Sequence, residues 1–195
     1  VYVTAVEGPK KETLHVACVD LASGKTAWAK SFASTQPGPN NPMTSRAAPT
    51  PVADAAGVVC FFESGDLIAL SPAGEVRWKR SLSEEYGELK NNHGLAASPV
   101  QTNETVIVLA DHNGPSYLLA VNKADGKNVW KADREPRAAW TSPVLTTAAD
   151  GSRVVLIASG GDVTAYDPAT GKLRWALPAA AKYTIASPGV ADGVA

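Results

Sequence analysis

The sequence predicts an all-β fold, a β-propeller of four-stranded antiparallel blades with about four blades' worth of chain. Two short markers, each found four times at a similar interval, support this prediction, and so do the strand-like runs between them. No apolar pattern with helical spacing extends over a dozen residues, which argues against a helical repeat. The short strands within each period favour a propeller over other repeat architectures.

The first marker is a turn that ends in tryptophan. It reads AYDPATGKLRW at 165–175, CVDLASGKTAW at 18–28, AVNKADGKNVW at 120–130 and, one residue shorter, ALSPAGEVRW at 69–78. The second marker is a Ser/Thr-Pro step at 50–51, 98–99, 142–143 and 187–188. The prolines of this step are 48, 44 and 45 residues apart (51 to 99, 99 to 143 and 143 to 188). Because the two markers are independent and recur with a similar period, a chance repeat is improbable.

Turn residues divide each unit into short strands. Tight turns after the Ser/Thr-Pro step are predicted at Asp150-Gly151, Asp192-Gly193 and Asn103-Glu104. Runs rich in β-branched and aromatic residues follow at 58–62, 106–110 and 154–158. Third strands, each after a glycine-containing bend, are predicted at 66–70, 117–121 and 162–166. The tryptophan marker ends each unit with a fourth strand.

These markers divide the chain into blades. The predicted divisions are a partial blade at 1–35, complete blades at 46–82, 93–134 and 138–178, and the first strand of a further blade at 183–195. The two end pieces either pair and close a four-bladed ring or belong to different blades of a larger propeller, which is the reading we favour.

The recurring glycines and tryptophans are predicted to be structural. Glycine suits a turn that needs a positive φ angle, and a tryptophan on the outer strand can cover the neighbouring sheet. The residues concerned are Gly24, Trp28, Gly74, Trp78, Gly126, Trp130, Gly171 and Trp175. Asp20 and Asp167 are predicted to cap the turn backbone rather than to bind a metal.

Composition excludes several functional classes. The net charge is −1 and both signs are scattered, so no basic surface for nucleic acid is expected. No run approaches the roughly 20 apolar residues of a membrane span. Cys18 and Cys60 lie in apolar runs and are predicted to be buried free thiols, and no Cys/His cluster has metal-ligand spacing.

The tryptophan marker resembles the PQQ-like (quinoprotein-type) β-propeller repeat, whose motif is A-x-D-x-x-x-G-K-x-x-W. Residues 165–175 match it fully, whereas Asn122 replaces Asp in the third copy and Cys18 replaces Ala in the first. This family includes quinoprotein dehydrogenases, BamB-like proteins and many uncharacterised secreted or membrane-anchored bacterial proteins. Its well-known members have eight blades, so the resemblance implies that this chain is about half of a propeller.

The resemblance also raises the possibility of a quinoprotein dehydrogenase. Such an enzyme is expected to hold PQQ over the propeller axis with a calcium ion, a catalytic Asp and, in many members, a vicinal Cys-Cys ring. This sequence has no Cys-Cys pair and no run of oxygen ligands for calcium. We therefore predict no catalytic, cofactor-binding or metal-binding residues in this chain, with PQQ and calcium expected only under the dehydrogenase alternative.

Variable polar loops are the candidate binding residues. The segments before each Ser/Thr-Pro step, together with the bends between the second and third strands, are predicted to open on one face at the mouth of the central channel. The predicted rim consists of Arg46, His93, Asp111, His112, Arg137, Trp140, Lys182 and Tyr183. Each of these residues could instead be a solvated loop residue, but variable loops on a rigid scaffold are where binding sites tend to lie.

The function predicted from the sequence is therefore a non-enzymatic binding or scaffold module for a protein or peptide partner. The family resemblance implies a periplasmic or extracellular location. The alternatives are a fragment of a PQQ-dependent dehydrogenase and the sensor region of a larger membrane protein.

Overall fold

The structure is a computed structural model, and it describes residues 1–38, 44–178 and 185–191. Its strands form four consecutive antiparallel sheets. The first sheet has three strands, β1 (Tyr2–Glu7), β2 (Thr13–Val19) and β3 (Thr26–Ala33). The other three have four strands each, in sequence order. The prediction of an all-β fold with four-stranded antiparallel blades is confirmed.

The four-stranded sheets lie within the ranges predicted for the complete blades. The second sheet contains β4 (Val52–Asp54), β5 (Gly57–Phe61), β6 (Asp66–Leu70) and β7 (Val76–Ser81). The third contains β8 (Val100–Gln101), β9 (Thr105–Ala110), β10 (Ser116–Asn122) and β11 (Asn128–Arg134). The fourth contains β12 (Val144–Thr147), β13 (Arg153–Ser159), β14 (Asp162–Tyr166) and β15 (Leu173–Pro178). Strands β6 and β14 have the predicted bounds.

One short helix was not expected from the sequence. Helix α1 (Leu82–Tyr86) follows β7 directly. The Ser81 hydroxyl caps it by accepting a hydrogen bond from the Glu84 backbone N–H at 3.2 Å. Its single turn leaves no room for a helical sequence period, which explains why the pattern did not predict it. No helix in the described ranges is long and apolar enough to cross a membrane.

Apolar side chains fill the spaces between neighbouring sheets. Between the first and second sheets the fully buried members are Leu14, Val16, Val58, Cys60, Phe62, Ile68 and Leu70. Equivalent clusters lie between the second and third sheets and between the third and fourth. Each sheet is thus covered by its neighbours, which is the reason that the unit is repeated. Cys18 and Cys60 are free thiols as predicted, although Cys18 is only half-buried.

The tryptophan marker joins one sheet to the next. The Trp28 indole N–H donates to the Pro72 carbonyl at 2.9 Å, and the Trp78 indole N–H donates to the Lys123 carbonyl at 2.9 Å. Each ring also lies against the glycine of that turn, so that a Cβ on Gly74 or Gly126 would come within 2.7 Å of it. The third tryptophan makes the same contacts with Pro168 and Gly171. In all three pairs, the tryptophan of one sheet therefore packs on the turn glycine of the next.

The Asp residues of the marker also have the predicted role. Asp20 accepts hydrogen bonds from the backbone N–H and hydroxyl of Ser23, at 2.8 and 2.6 Å. Asp167 accepts from the backbone N–H groups of Ala169 and Thr170, at 2.9 and 3.0 Å. Both are turn-capping residues.

A second set of contacts runs along the Ser/Thr-Pro steps. The Thr50 backbone N–H donates to the Ser98 hydroxyl, the Ser98 N–H donates to the Ser142 hydroxyl, and the Ser142 N–H donates to the Ser187 hydroxyl. These distances are 2.9, 2.9 and 3.0 Å. The innermost strands are therefore fixed in one register, and so are the loops that precede them.

Candidate functional site

The loops that the sequence placed on one face do lie together. The Arg137 backbone N–H donates to the His112 carbonyl at 3.0 Å, which joins the loop before β12 to the bend between β9 and β10. The Asn113 N–H donates to the Lys90 carbonyl at 2.8 Å, which joins the same bend to the loop before β8. We call this set of loops, residues 44–49, 62–65, 88–97, 111–115 and 135–141, the axial face.

Trp140 and His93 form the exposed aromatic part of the axial face. The Trp140 indole N–H donates to the Gly94 carbonyl at 3.1 Å, which fixes the ring across the neighbouring loop. The His93 ring lies against it, with 5.9 Å between ring centroids and 50° between the planes. His93 is exposed and Trp140 is half-buried. The two tilted rings form an aromatic surface, which suits contact with a peptide side chain.

Arg137 is held at the other side of the face. Its guanidinium donates to the Ser159 carbonyl at 3.1 Å and to the Glu135 carbonyl at 3.0 Å. The Asp162 carboxylate is 3.9 Å away. The cation is thus positioned by backbone oxygens, and 17% of the Arg137 side chain is exposed.

The structure corrects the predicted position of His112. Its side chain is fully buried, so it is not presented on a rim. Its Nδ1 accepts hydrogen bonds from the Lys90 and Gly114 backbone N–H groups, at 3.1 and 3.0 Å. Because Nδ1 accepts twice, the ring proton is assigned to Nε2, which has no acceptor within the described residues. Burial lowers the pKa of His112 and favours this neutral form.

Asp111 is also buried rather than exposed. Its carboxylate forms a two-bond ion pair with Arg134, with Nε–Oδ1 and Nη2–Oδ2 distances of 2.8 and 3.0 Å. The Ser159 hydroxyl donates to Asp111 at 2.5 Å, and Arg134 donates to the Tyr166 hydroxyl at 2.5 Å. Burial is the largest single effect on the pKa of Arg134 and lowers it, but the charge and hydrogen bonds of Asp111, together with Tyr166, outweigh burial and raise this pKa. This network ties the third sheet to the fourth and has no free acceptor for a ligand.

Arg46 lies at the edge of a small cavity on the axial face. It is one of two non-glycine residues of the described ranges with a positive φ, at 61°. Its guanidinium donates to the Gln36 carbonyl at 3.0 Å, and Gln36 in turn holds the Leu89 backbone with two side-chain hydrogen bonds. The cavity is lined by Gln36, Arg46, Glu63, Leu89, Asn91, Gly94 and Leu95.

Glu63 is a site residue that the sequence analysis missed. Only 6% of it is exposed, and its Oε2 has no hydrogen-bond partner within the described residues. The Asn91 amide nitrogen, in the same cavity, is also buried without an acceptor in those ranges. A Cβ on Gly94 would collide with the Glu63 carboxylate, so glycine is needed there. Glu63 follows an apolar strand and gives no periodic signal, and only the approach of the next loop buries it.

Burial raises the pKa of Glu63 to about 7, against the lowering effects of the Arg46 charge and nearby backbone N–H groups. The folded protein therefore holds the proton more tightly than the unfolded chain does. The resulting stability is fully present below pH 4.5, the ordinary pKa of the group, and is lost as the pH rises through about 7. The resulting decrease in the free energy of unfolding is at most about 3.5 kcal/mol, because one pKa unit corresponds to about 1.4 kcal/mol.

We expect Glu63→Gln to remove this part of the pH dependence. Urea unfolding of both proteins at several pH values between 4.5 and 7.5 gives their free energies of unfolding. The readout is the slope, against pH, of the difference in this free energy between variant and wild type. Glu104→Gln, which removes a carboxylate from an exposed turn, is the matched control and should follow the wild type. An unchanged slope in Glu63→Gln would show that Glu63 does not take up a proton in this range.

The remaining predicted rim residues are not described. Lys182 and Tyr183 lie outside the described residues, as do residues 184 and 192–195 of the predicted strand at 183–195. Within the described ranges, no three His, Cys, Asp or Glu side chains come together as metal ligands.

A protein-family model confirms the relationship that the repeat indicated. The model described as outer membrane protein assembly factor BamB matches residues 10–192. The chain belongs to this family. The comparison with curated protein sequences gives no significant match.

Solved structures agree with the BamB-like fold. BamB from Moraxella catarrhalis is 20% identical, with a TM-score of 0.57 over 90% of this chain and 44% of that chain. A europium-containing methanol dehydrogenase is 14% identical, with a TM-score of 0.64 over 91% and 39%. Quinohemoprotein alcohol dehydrogenase from Comamonas testosteroni is 15% identical, with a TM-score of 0.60 over 91% and 36%. The chain spans less than half the length of each, and at these identities the likeness shows the fold alone.

Proposed function

We propose that this BamB-family chain is a non-enzymatic binding module whose axial face holds an extended peptide segment of a protein partner. The observation that supports the proposal most directly is the exposed His93 ring on Trp140, beside the cavity that contains Glu63. Gly94 joins the two, since its carbonyl accepts from Trp140 and its α-carbon lies against Glu63. The aromatic pair and the polar cavity are thus adjacent on the axial face.

The peptide is proposed to bind on the aromatic pair rather than inside the cavity. The cavity beside Gly94 has a volume of only about 20 Å³, room for one or two water molecules, and the Glu63 Oε2 and the Asn91 amide nitrogen that line it are buried. The exposed His93 ring and the half-buried Trp140 ring offer a surface for an apolar or aromatic side chain of a peptide.

The family supports a periplasmic or extracellular location as part of this proposal, because BamB is described as an outer-membrane assembly factor. The similarity to alcohol and methanol dehydrogenases supports the alternative of a dehydrogenase fragment. That alternative requires a site for PQQ and calcium, for which the described residues offer no ligand cluster.

The test is a peptide-binding measurement with rim variants. Peptides selected from a random display library on the wild-type protein are labelled, and their dissociation constants are measured by fluorescence anisotropy. We expect Trp140→Ala to raise the dissociation constant at least about tenfold, because truncating a central aromatic residue costs at least about 1–2 kcal/mol. Lys172→Ala, an exposed change on the outer edge, should leave it unchanged.

Two results would contradict the proposed binding function. Peptides that bind Trp140→Ala and His93→Ala as tightly as the wild type would show that the axial face is not the site. Calorimetric titration with PQQ and calcium, followed by a dye-linked assay on simple alcohols and sugars, tests the alternative. Stoichiometric binding with turnover would overturn the non-enzymatic proposal.

A further inference from the structure

A buried glutamate lies directly under the loop that presents the aromatic pair. Glu63 is only 6% exposed, and its Oε2 has no hydrogen-bond partner within the described residues. The Glu63 Oε2 would be 1.9 Å from a Cβ placed on Gly94, so the bare backbone of that glycine rests on the carboxyl group. Gly94 has a φ of 73°, a conformation that side chains disfavour. The loop is therefore shaped to fit closely over Glu63.

This carboxyl group also joins two loops of the axial face. The backbone N–H groups of Arg46 and Ala48, in the loop before β4, and of Leu95, in the covering loop before β8, face it. The Arg46 guanidinium is the charged group that acts on the carboxyl group. In the covering loop, Lys90 and Glu88 pair with each other at 3.5 Å, with 63% and 64% of their side chains exposed. The charged side chains of the covering loop thus lie in solvent.

Four residues of the covering loop lie between two fixed points. On one side, the Lys90 backbone is held by the bend at 111–115, through hydrogen bonds of 2.8 and 3.1 Å. On the other side, the Leu95 side chain is 2% exposed and packs in the core between the second and third sheets. Residues 91–94, which we call the cover, connect these two points and include the exposed His93. The cover can therefore move while both ends of it stay in place.

The aromatic pair depends on the position of the cover. The Trp140 indole N–H donates to the Gly94 carbonyl at 3.1 Å, and the His93 ring lies against Trp140 with 5.9 Å between ring centroids. The cover makes both contacts, so its movement away from Glu63 would break them together. One short segment thus links the Glu63 carboxyl group to the exposed aromatic surface.

We propose that Glu63 is a proton-linked positioning residue of the axial face: its protonated carboxyl group holds the cover in place, and loss of the proton releases the cover and separates the aromatic pair. A carboxylate with an unpaired oxygen is costly to bury, whereas release of the cover lets water reach it. The inference rests on the proposed peptide binding, because the aromatic pair is the surface that the peptide would contact.

The release of the cover is expected near neutral pH. Burial raises the pKa of Glu63 to about 7 under the cover, whereas the ordinary pKa of the group is 4.5. The covered form holds the proton more tightly, so the cover is fully held below pH 4.5 and is released as the pH rises through about 7. Between pH 6 and pH 8 these two pKa values predict a rise of about tenfold in the ratio of released to covered forms. Burial lowers the pKa of His112, on the fixed side, so this ring favours its neutral form over the same range.

The test follows the indole N–H groups of the full chain by NMR hydrogen exchange, without peptide. The signal of Trp140 is identified by its absence in Trp140→Phe. We expect the protection factor of the Trp140 indole N–H to fall about tenfold between pH 6 and pH 8. The indole N–H groups of Trp28, Trp78 and Trp130, which donate to turn carbonyls of neighbouring sheets, are internal controls and should keep their protection factors.

Two variants assign the change to one carboxyl group. Glu63→Gln has the shape of the protonated side chain and does not ionise, so the protection factor of Trp140 should be the same at both pH values. Glu104→Gln, which removes a carboxylate from an exposed turn, is the matched control and should behave as the wild type. An equal fall in Glu63→Gln, or no fall in the wild type, would overturn the proposal.

Peptide affinity connects the cover to the proposed function. With peptides selected from the display library, we expect the dissociation constant of the wild type to rise by up to about tenfold from pH 6 to pH 8, and that of Glu63→Gln to stay constant. The same pH dependence in both proteins would show that the cover does not control binding, and the proposal is then wrong. If no peptide binds at either pH, the proposed function fails, whereas the exchange experiment still decides the role of Glu63.

Discussion

Replacing Asp111 by Ala is expected to lower the free energy of unfolding by about 3–5 kcal/mol, one of the two largest effects of any single change considered. The substitution leaves the Arg134 guanidinium buried, only 9% exposed, without its carboxylate. The Ser159 hydroxyl also loses its acceptor. The total free energy of unfolding of a domain is only about 5–15 kcal/mol, so this substitution would remove a large part of it. Urea unfolding followed by circular dichroism measures the change.

A double variant separates the cost of an unpaired charge from the value of the ion pair. In Asp111→Leu/Arg134→Met both charges are removed, so no buried charge remains. We expect this protein to recover most of the lost stability, since replacing a buried ion pair by apolar residues is often neutral. A loss below about 1 kcal/mol in Asp111→Ala alone would show that Arg134 reaches solvent and that the network is not needed for folding.

Trp78→Ala is expected to cost a similar amount, about 3–5 kcal/mol, because it removes a large buried side chain and leaves a cavity between two sheets. The Lys123 carbonyl also loses its donor. The matched control is Val76→Ala on the same strand. Val76 is 51% exposed, and its truncation should change the free energy of unfolding by no more than about 0.5 kcal/mol.

The turn glycine under this ring provides a further check. Gly126→Ala places a Cβ within 2.7 Å of the Trp78 ring and at a φ of 73°. In the Trp78→Ala background the collision is gone and only the backbone strain remains. The two changes should therefore be less than additive. Strict additivity would contradict direct packing of the indole on this turn.

These sheet contacts explain how the axial face keeps its shape. The loops at 88–97 and 135–141 each lead into an innermost strand. At the start of these strands, the Ser98 hydroxyl accepts from the Thr50 backbone N–H and the Ser142 hydroxyl accepts from the Ser98 N–H, both at 2.9 Å. A peptide that binds there would meet loops that are already ordered, which lowers the entropic cost of binding.

The sequence predicted the grouping of the axial loops correctly, because strand order alone decides at which end of a sheet a loop emerges. It did not predict which of their polar side chains reach solvent. The sequence predicted that Asp111 and His112 are exposed polar residues in a bend. In the structure, Arg134 from β11 pairs with Asp111, and the backbone N–H groups of residues 90 and 114 bond to His112. Glu63 was missed for the same reason, since its burial depends on loops some thirty residues away along the chain (63 to 94).

What the sequence by itself determined about this protein is the repeated unit, its strands and the glycine–tryptophan turn. Each of these depends on local backbone preference and on a regular pattern, so it can be read within one period. Only the tertiary structure decided which acidic groups are paired and which carboxyl groups are buried with one oxygen unpaired within the described residues. Burial and pairing arise when one unit docks on the next, and no single period contains both sides of that contact.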